Sequence, residues 1–249
     1  PIDYQPLAHE DTREQCPPPV ATEYHIPEVL PDTDSYEKAV EKRRLKHHVK
    51  RAWKSFKWGA ITCFSFVGPI GLAYLPKLFL DEFGWTRTVA APDNESLPEQ
   101  ENQQKLPELD GERAKSNGSG IPFEDRVDLA EDMLNALSLT EGFGKLVLIT
   151  GHGSTTVNNP YDSALDCGAC GGYGGKVNAR VASIILNDSE IRDRLNQRGI
   201  LIPDNTVFVA ARHDTTTDQV TLLNPEEIPS EHDELIQQLK DLLETASQR

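Results

Sequence analysis

Three side chains of this sequence, His152, Cys167 and Cys170, have the types and spacing that do chemistry, and all lie in residues 146–175, LVLITGHGSTTVNNPYDSALDCGACGGYGG. Imidazole nitrogen and thiolate sulfur are ligands that zinc favours in tetrahedral sites. The aliphatic run from Leu146 to Ile149 predicts a buried strand that delivers Gly151-His152-Gly153-Ser154 at its end. A glycine-dense turn around Cys167 and Cys170 then leads into a predicted helix. In open α/β sheets, ligands collect where strands end and helix N-termini begin. His152 and Cys167 are therefore read as two ligands of a zinc ion, with the free amides of the following helix suited to an anion.

Other readings of the same residues stand beside this one. Cys167-Gly168-Ala169-Cys170 is a C-x-x-C, the spacing of a thiol redox pair or of one half of a zinc ribbon. A ribbon needs a second C-x-x-C, and the sequence has none. His152 could equally be hydrogen-bonded into a turn.

A second polar tip follows the predicted strand from Asn205 to Ala211. If the two strands lie parallel in one sheet, both tips open on the same edge. Arg212, His213, Asp214, Thr216 and Asp218 then form a second wall of the site. The threonine run, Thr215 to Thr217, offers hydroxyl donors to an oxyanion; the plainer alternatives are an Arg212–Asp214 pair and a run that merely caps a turn.

The elements that must position these residues read as α/β, a mainly parallel sheet flanked by helices. A helix resumes at Pro122-Phe123-Glu124, with Val127, Leu129, Ala130, Met133, Leu134 and Leu137 on its apolar face. Lys176 to Asn187 and Ser189 to Arg198 read as two further helices, the second stopped by Gly199. After Ile228-Pro229-Ser230 comes a terminal amphipathic helix with Leu235, Ile236, Leu239, Leu242 and Leu243 on its apolar stripe.

Upstream, residues 1–34 show little periodicity and read as an extended, loop-like arm. Ser35 to Lys57 reads as a strong helix with an apolar stripe from Tyr36 to Phe56; the basic residues between suit anionic lipid or a partner, and a plain solvated helix face is the favoured reading. Trp58 to Pro76 has no charge; its glycines and prolines argue for two short buried helices around Gly68-Pro69 rather than a membrane span. The polar stretch 90–121 reads as a flexible insertion. The expected organisation is an arm and helical part over 1–89, that insertion, and the zinc-site half over 122–249.

The chain of 249 residues carries a formal net charge of −15, which argues against wrapping nucleic acid. Its cysteines, at 16, 63, 167 and 170, lack the spacing of a disulfide framework and fit a reducing cytosolic compartment. It starts at Pro1 and has one methionine, so it is expected to be a piece of something longer.

Two motifs carry a resemblance. Gly151-His152 followed by Asp166-Cys167-Gly168-Ala169 and a helix resembles the second half of the β-class carbonic anhydrase zinc motif, with a longer gap between the ligands. The whole run GHGSTTVNNPYDSALDCGACGG with NARV after it, and His213 to Asp218 later, is similar to the DabA family of inorganic carbon transporter subunits.

The resemblance implies a β-carbonic-anhydrase-like sheet and a zinc ion (Zn2+) held by His152 and Cys167. It further implies carbon dioxide hydrated to bicarbonate in a vectorial fashion, and a membrane partner that conducts cations (a DabB-like subunit) on the cytoplasmic side of the cell inner membrane. The family's other two ligands come from an upstream Cys-x-Asp-x-Arg motif that this sequence does not contain. A thiol redox protein and a non-catalytic scaffold that docks a membrane partner remain the alternatives.

Overall fold

The computed structural model describes residues 1–9, 11–17, 19–30, 33–59, 61–65, 68, 71, 74–83, 85, 105–110, 118–155, 165–223 and 225–247. The chain forms two compact units: Pro1–Pro31 together with Gln103–Arg249, and Asp32–Asn102.

The first unit opens with strands rather than the loop-like arm its composition suggests. β1 (Ile2–Gln5), β2 (Arg13–Glu14) and β3 (Tyr24–Val29) lie in one sheet. Ile2 and Tyr4 face inward from β1, and Ile26 and Glu28 from β3. Each strand thus contributes only two inward residues, and Pro6 and Pro27 interrupt the pattern, so the period-2 signal is too short to stand out.

The second unit holds α1 (Thr33–Trp58), α2 (Thr62–Ser65) and α3 (Leu75–Glu82). α1 matches the helix expected over 35–57, starting two residues earlier. The apolar segment after it is not the buried pair of helices expected over Trp58 to Pro76: Trp58, Ile61, Phe64 and Leu75 are all exposed. Pro69 lies outside the described residues. No helix among the described residues is long and apolar enough to cross a membrane.

Most of the insertion expected over 90–121 also falls outside the described residues. Within it, β4 (Leu106–Pro107) pairs antiparallel with β3 through Val29↔Leu106 and Glu28↔Pro107. This completes a sheet of order β2-β1-β3-β4, in which only β1 and β3 run parallel.

The rest of the first unit runs α4 (Phe123–Ala136), β5 (Leu146–Gly153), α5 (Lys176–Asn187), α6 (Ser189–Gln197), β6 (Val207–Asp214), β7 (Gln219–Leu222) and α7 (Asp233–Ser247). β5 and β6 are parallel, as expected, but β7 folds back antiparallel on β6. The mainly parallel sheet expected from sequence is therefore corrected: the α/β fold holds two small mixed sheets.

β7 covers β6 only from Ala211 onward. Upstream, Asn187 takes its place: its side-chain amide accepts from the Phe208 N–H at 3.0 Å and donates to the Phe208 carbonyl at 2.8 Å. A buried strand edge thereby has its backbone groups satisfied by a side chain.

The core sits between these strands and the helices. Val127, Ala130 and Leu134 of α4, Val181 and Ile185 of α5, Ile191 and Leu195 of α6, and Phe208 form one buried cluster with Ile2, Tyr4 and Ile26. α6 is capped by the Asp188 carboxylate, which accepts from the Glu190 and Ile191 amides. On α7 the expected stripe is only partly covered, with Ile236 buried and Leu242 exposed.

Candidate metal centre at the ends of β5 and β6

The parallel register of β5 and β6 pairs Gly151 with Arg212, His152 with His213 and Gly153 with Asp214. Paired residues of neighbouring strands point to the same face, about 4.8 Å apart. The two histidines therefore sit side by side on one face at the carboxyl edge, and Asp214 belongs to the other. His152 is exposed.

The long excursion between the candidate ligands is pinned at its neck. The Ser154 N–H donates to Asp166 Oδ1 at 2.7 Å. The Thr215 hydroxyl lies 3.0 Å from the Gly153 carbonyl and 2.8 Å from that of Leu165, and the Thr215 N–H donates to Gly153 as well. Residues 156–164, the middle of the excursion, lie outside the described residues. What the structure brings together is the backbone flanking His152 and the backbone flanking Cys167.

Glycines make that approach possible. The Gly175 N–H donates to the His152 carbonyl at 2.7 Å. A Cβ on Gly151 would overlap the Gly175 carbonyl group, and one on Gly153 would come within 3.2 Å of Asp166 Oδ1. At Gly171 the requirement is double: φ is +68°, and a Cβ would meet the Glu14 carbonyl at 2.5 Å. The β2 end of the first sheet thus backs the cysteine turn, where Arg13 stacks over the Tyr173 ring at 5.5 Å.

Cys167 opens a 3-10 turn over Gly168–Cys170 and is half-buried, whereas Cys170 is buried; both are free thiols. Burial pushes the Cys170 thiol up to about 12, and the hydrogen bond and charge of Cys167 act in the same sense. Asn178 opposes the shift, donating to Cys170 Sγ at 3.3 Å. Cys170 is accordingly a protonated neighbour, while Cys167 is the accessible sulfur.

The second-wall residues are satisfied within their own hairpin. Arg212 pairs with the buried Asp214 at 3.3 Å, and the Asp214 carboxylate accepts from the Thr216 N–H at 2.9 Å. His213 Nε2 lies 3.2 Å from Asp218 Oδ1. Asp218 adopts a φ of +56° where the chain turns back into β7. The threonine run is thus a turn, with Thr215 also clamping the neck. Asn178 was not singled out from sequence; Asp166 stood out only as the neighbour of Cys167 in the quoted motif, and Thr215 only as part of the threonine run.

As donors, an imidazole and an accessible thiol suit zinc. Among the described residues no group of three or more His, Cys, Asp or Glu side chains is arranged to hold a metal ion.

Comparison with known proteins decides the family. The family described as "Probable inorganic carbon transporter subunit DabA" matches residues 1–249. The chain belongs to the DabA family. A DabA of Chloroflexus aurantiacus is 46% identical over 242 residues, covering 96% of this chain and 29% of the relative. One from Roseiflexus castenholzii has the same identity and coverage, and one from Acidithiobacillus ferrooxidans is 39% identical over 252 residues, covering 99% of the chain and 30% of the relative. Each is named a probable inorganic carbon transporter subunit. The chain thus spans less than a third of the length of these DabA proteins. No solved structure matches it.

Proposed function

We propose that this chain contributes half of a zinc site to a subunit that takes up inorganic carbon, with His152 and Cys167 as two of the ligands. The observation that carries the reading is the register that sets His152 at the carboxyl edge of a parallel strand pair, with the Asp166-Cys167 turn tied back to that edge. Bound zinc would supply a water acidified toward neutral pH, suited to hydrating carbon dioxide.

This chain's own residues have positioning roles. Gly175 orients the His152 backbone, Asp166 and Thr215 hold the neck closed, and His213, in register with His152, borders the same face. The remaining ligands are assigned to the rest of the full-length protein, which acts with a membrane subunit that conducts cations on the cytoplasmic side of the inner membrane. Carbon dioxide is the substrate and bicarbonate the product.

Metal analysis and bicarbonate accumulation of the full-length protein in its complex test this. His152→Ala and Cys167→Ser are each expected to lower bound zinc and abolish accumulation. Normal zinc and normal uptake in either variant would remove that residue from the site.

One observation favours a second reading, a thiol redox pair: Cys167 and Cys170 stand at the two ends of one 3-10 turn, both as free thiols. Cys170→Ser separates the two. It abolishes function if the pair cycles through a disulfide, and is mild if Cys170 only packs beside a ligand.

A further inference from the structure

We propose that the second compact unit, Asp32–Asn102, carries a face that binds an anionic lipid surface directly. This goes beyond the zinc reading and does not depend on it.

Charge is the first argument. From Lys42 to Lys57, eight of sixteen residues are lysine or arginine and none is acidic, in a chain whose net charge is −15. Arg43 is buried, which leaves the other seven cationic side chains at the surface of this stretch of α1. A membrane leaflet rich in anionic headgroups attracts such a stretch by roughly 1 kcal/mol per basic residue near the surface.

The geometry of α1 adds a second. At about 3.6 residues per turn, Leu45, Val49 and Trp53 fall on one stripe. Lys42 falls within the stripe and Lys46 and Lys50 border it on one side, whereas Arg44 and Arg51 lie roughly 100° or more beyond Leu45 around the helix. Leu45 is 66% exposed and Val49 59%. An apolar stripe edged by long lysine chains suits a helix that lies in a headgroup layer, its stems along the apolar part and its charges outward. Lys54 shows the posture, its ammonium 5.7 Å from the centre of the Trp58 ring.

The third argument comes from the chain after α1, where Phe64 is 78% exposed and Trp85 74%, and where Leu78 and Phe79 stand out from α3. Soluble surfaces rarely expose so many large apolar groups without a use for them. Protein interfaces enrich aromatics but are depleted in lysine, whereas α1 carries a lysine at 42, 46, 50, 54 and 57. Aromatics together with lysine fit a lipid interface better than a protein one. The described helices are not long and apolar enough to span, so the face lies on the bilayer.

The test is flotation of the full-length protein that contains this chain with vesicles of phosphatidylcholine alone, and with vesicles containing roughly 30% phosphatidylglycerol. The chain is expected to float with the anionic vesicles only, and to be released by about 0.5 M salt. Lys46→Glu with Lys54→Glu should weaken binding roughly thirty-fold or more, and Leu78→Asn with Phe79→Asn should also release the chain, circular dichroism confirming that both variants fold. Failure to float, equal flotation with neutral vesicles, or flotation only when a membrane-protein partner is present in the vesicles would overturn the proposal. None of these readouts depends on zinc.

Discussion

Glu28 shows how one residue ties the first sheet to the candidate site. Its carboxylate is buried on β3, and burial alone would push its pKa up. Lys105 at 3.6 Å, the Leu7 N–H at 2.9 Å, the Tyr4 hydroxyl and the charge of Lys176 outweigh that and hold it below the usual carboxylate value. Lys176 directly follows Gly175, so the charge balance of β3 reaches the first residue of α5. The unfolded carboxyl takes up a proton near its ordinary value, and the folded one only at lower pH. Between those values the unfolded state binds more protons, so this contribution to stability is full above the ordinary value and is lost as pH falls toward the folded one. Lys105→Met leaves a buried carboxylate without its cation and should cost about 3–5 kcal/mol near neutral pH, measured by urea unfolding. Adding Glu28→Gln should recover much of that loss and flatten the acid limb. An unchanged midpoint in the single variant would show that the pair does not hold the sheet.

At the scale of elements, the decisive contact is backbone against backbone, where the end of β5 meets the start of α5. Gly151→Ala forces a methyl into the Gly175 carbonyl group, and neither side of that contact is a flexible side chain. Gly168→Ala, one residue after the candidate ligand, meets nothing within 4 Å. The first variant should lower the unfolding midpoint sharply and loosen whatever binds at the edge, and the second should be close to neutral. Equal thermal midpoints for the two would mean that β5 and α5 do not need this approach. The contrast also marks what sequence could reveal. Repeated apolar spacing exposed α4, α5 and α6 and the strand pair β5–β6, and with them the shared edge that carries His152 and His213. The four-residue β7 was hidden because its pairing depends on the Asp218 turn, and the Asp166–Ser154 bond was hidden because it joins residues across a long excursion. The glycines around Cys167 signalled a close approach but not its partner, which for Gly171 is the backbone of Glu14, far away in sequence.

For the whole molecule, β3 and β4 explain how two compact units share one chain. Their antiparallel register sets Val29 opposite Leu106, so the chain leaves the first unit and returns to it at adjacent points, and Asp32–Asn102 is an insertion in a hairpin. An insertion of this kind can be removed if the hairpin is closed by a short turn, since a loop of two to five residues suits antiparallel neighbours. Joining Pro31 directly to Gln103 leaves a five-residue loop, Leu30, Pro31, Gln103, Gln104 and Lys105, and keeps the partner of Glu28. The shortened chain should retain cooperative thermal unfolding and the hydrogen-exchange protection of β5 and β6. It should also lose flotation with anionic vesicles completely. Loss of cooperative unfolding would show that the first unit needs the second to fold. Cooperative unfolding with flotation retained would move the lipid-binding face onto the first unit, whose exposed surface lacks any comparable run of basic residues.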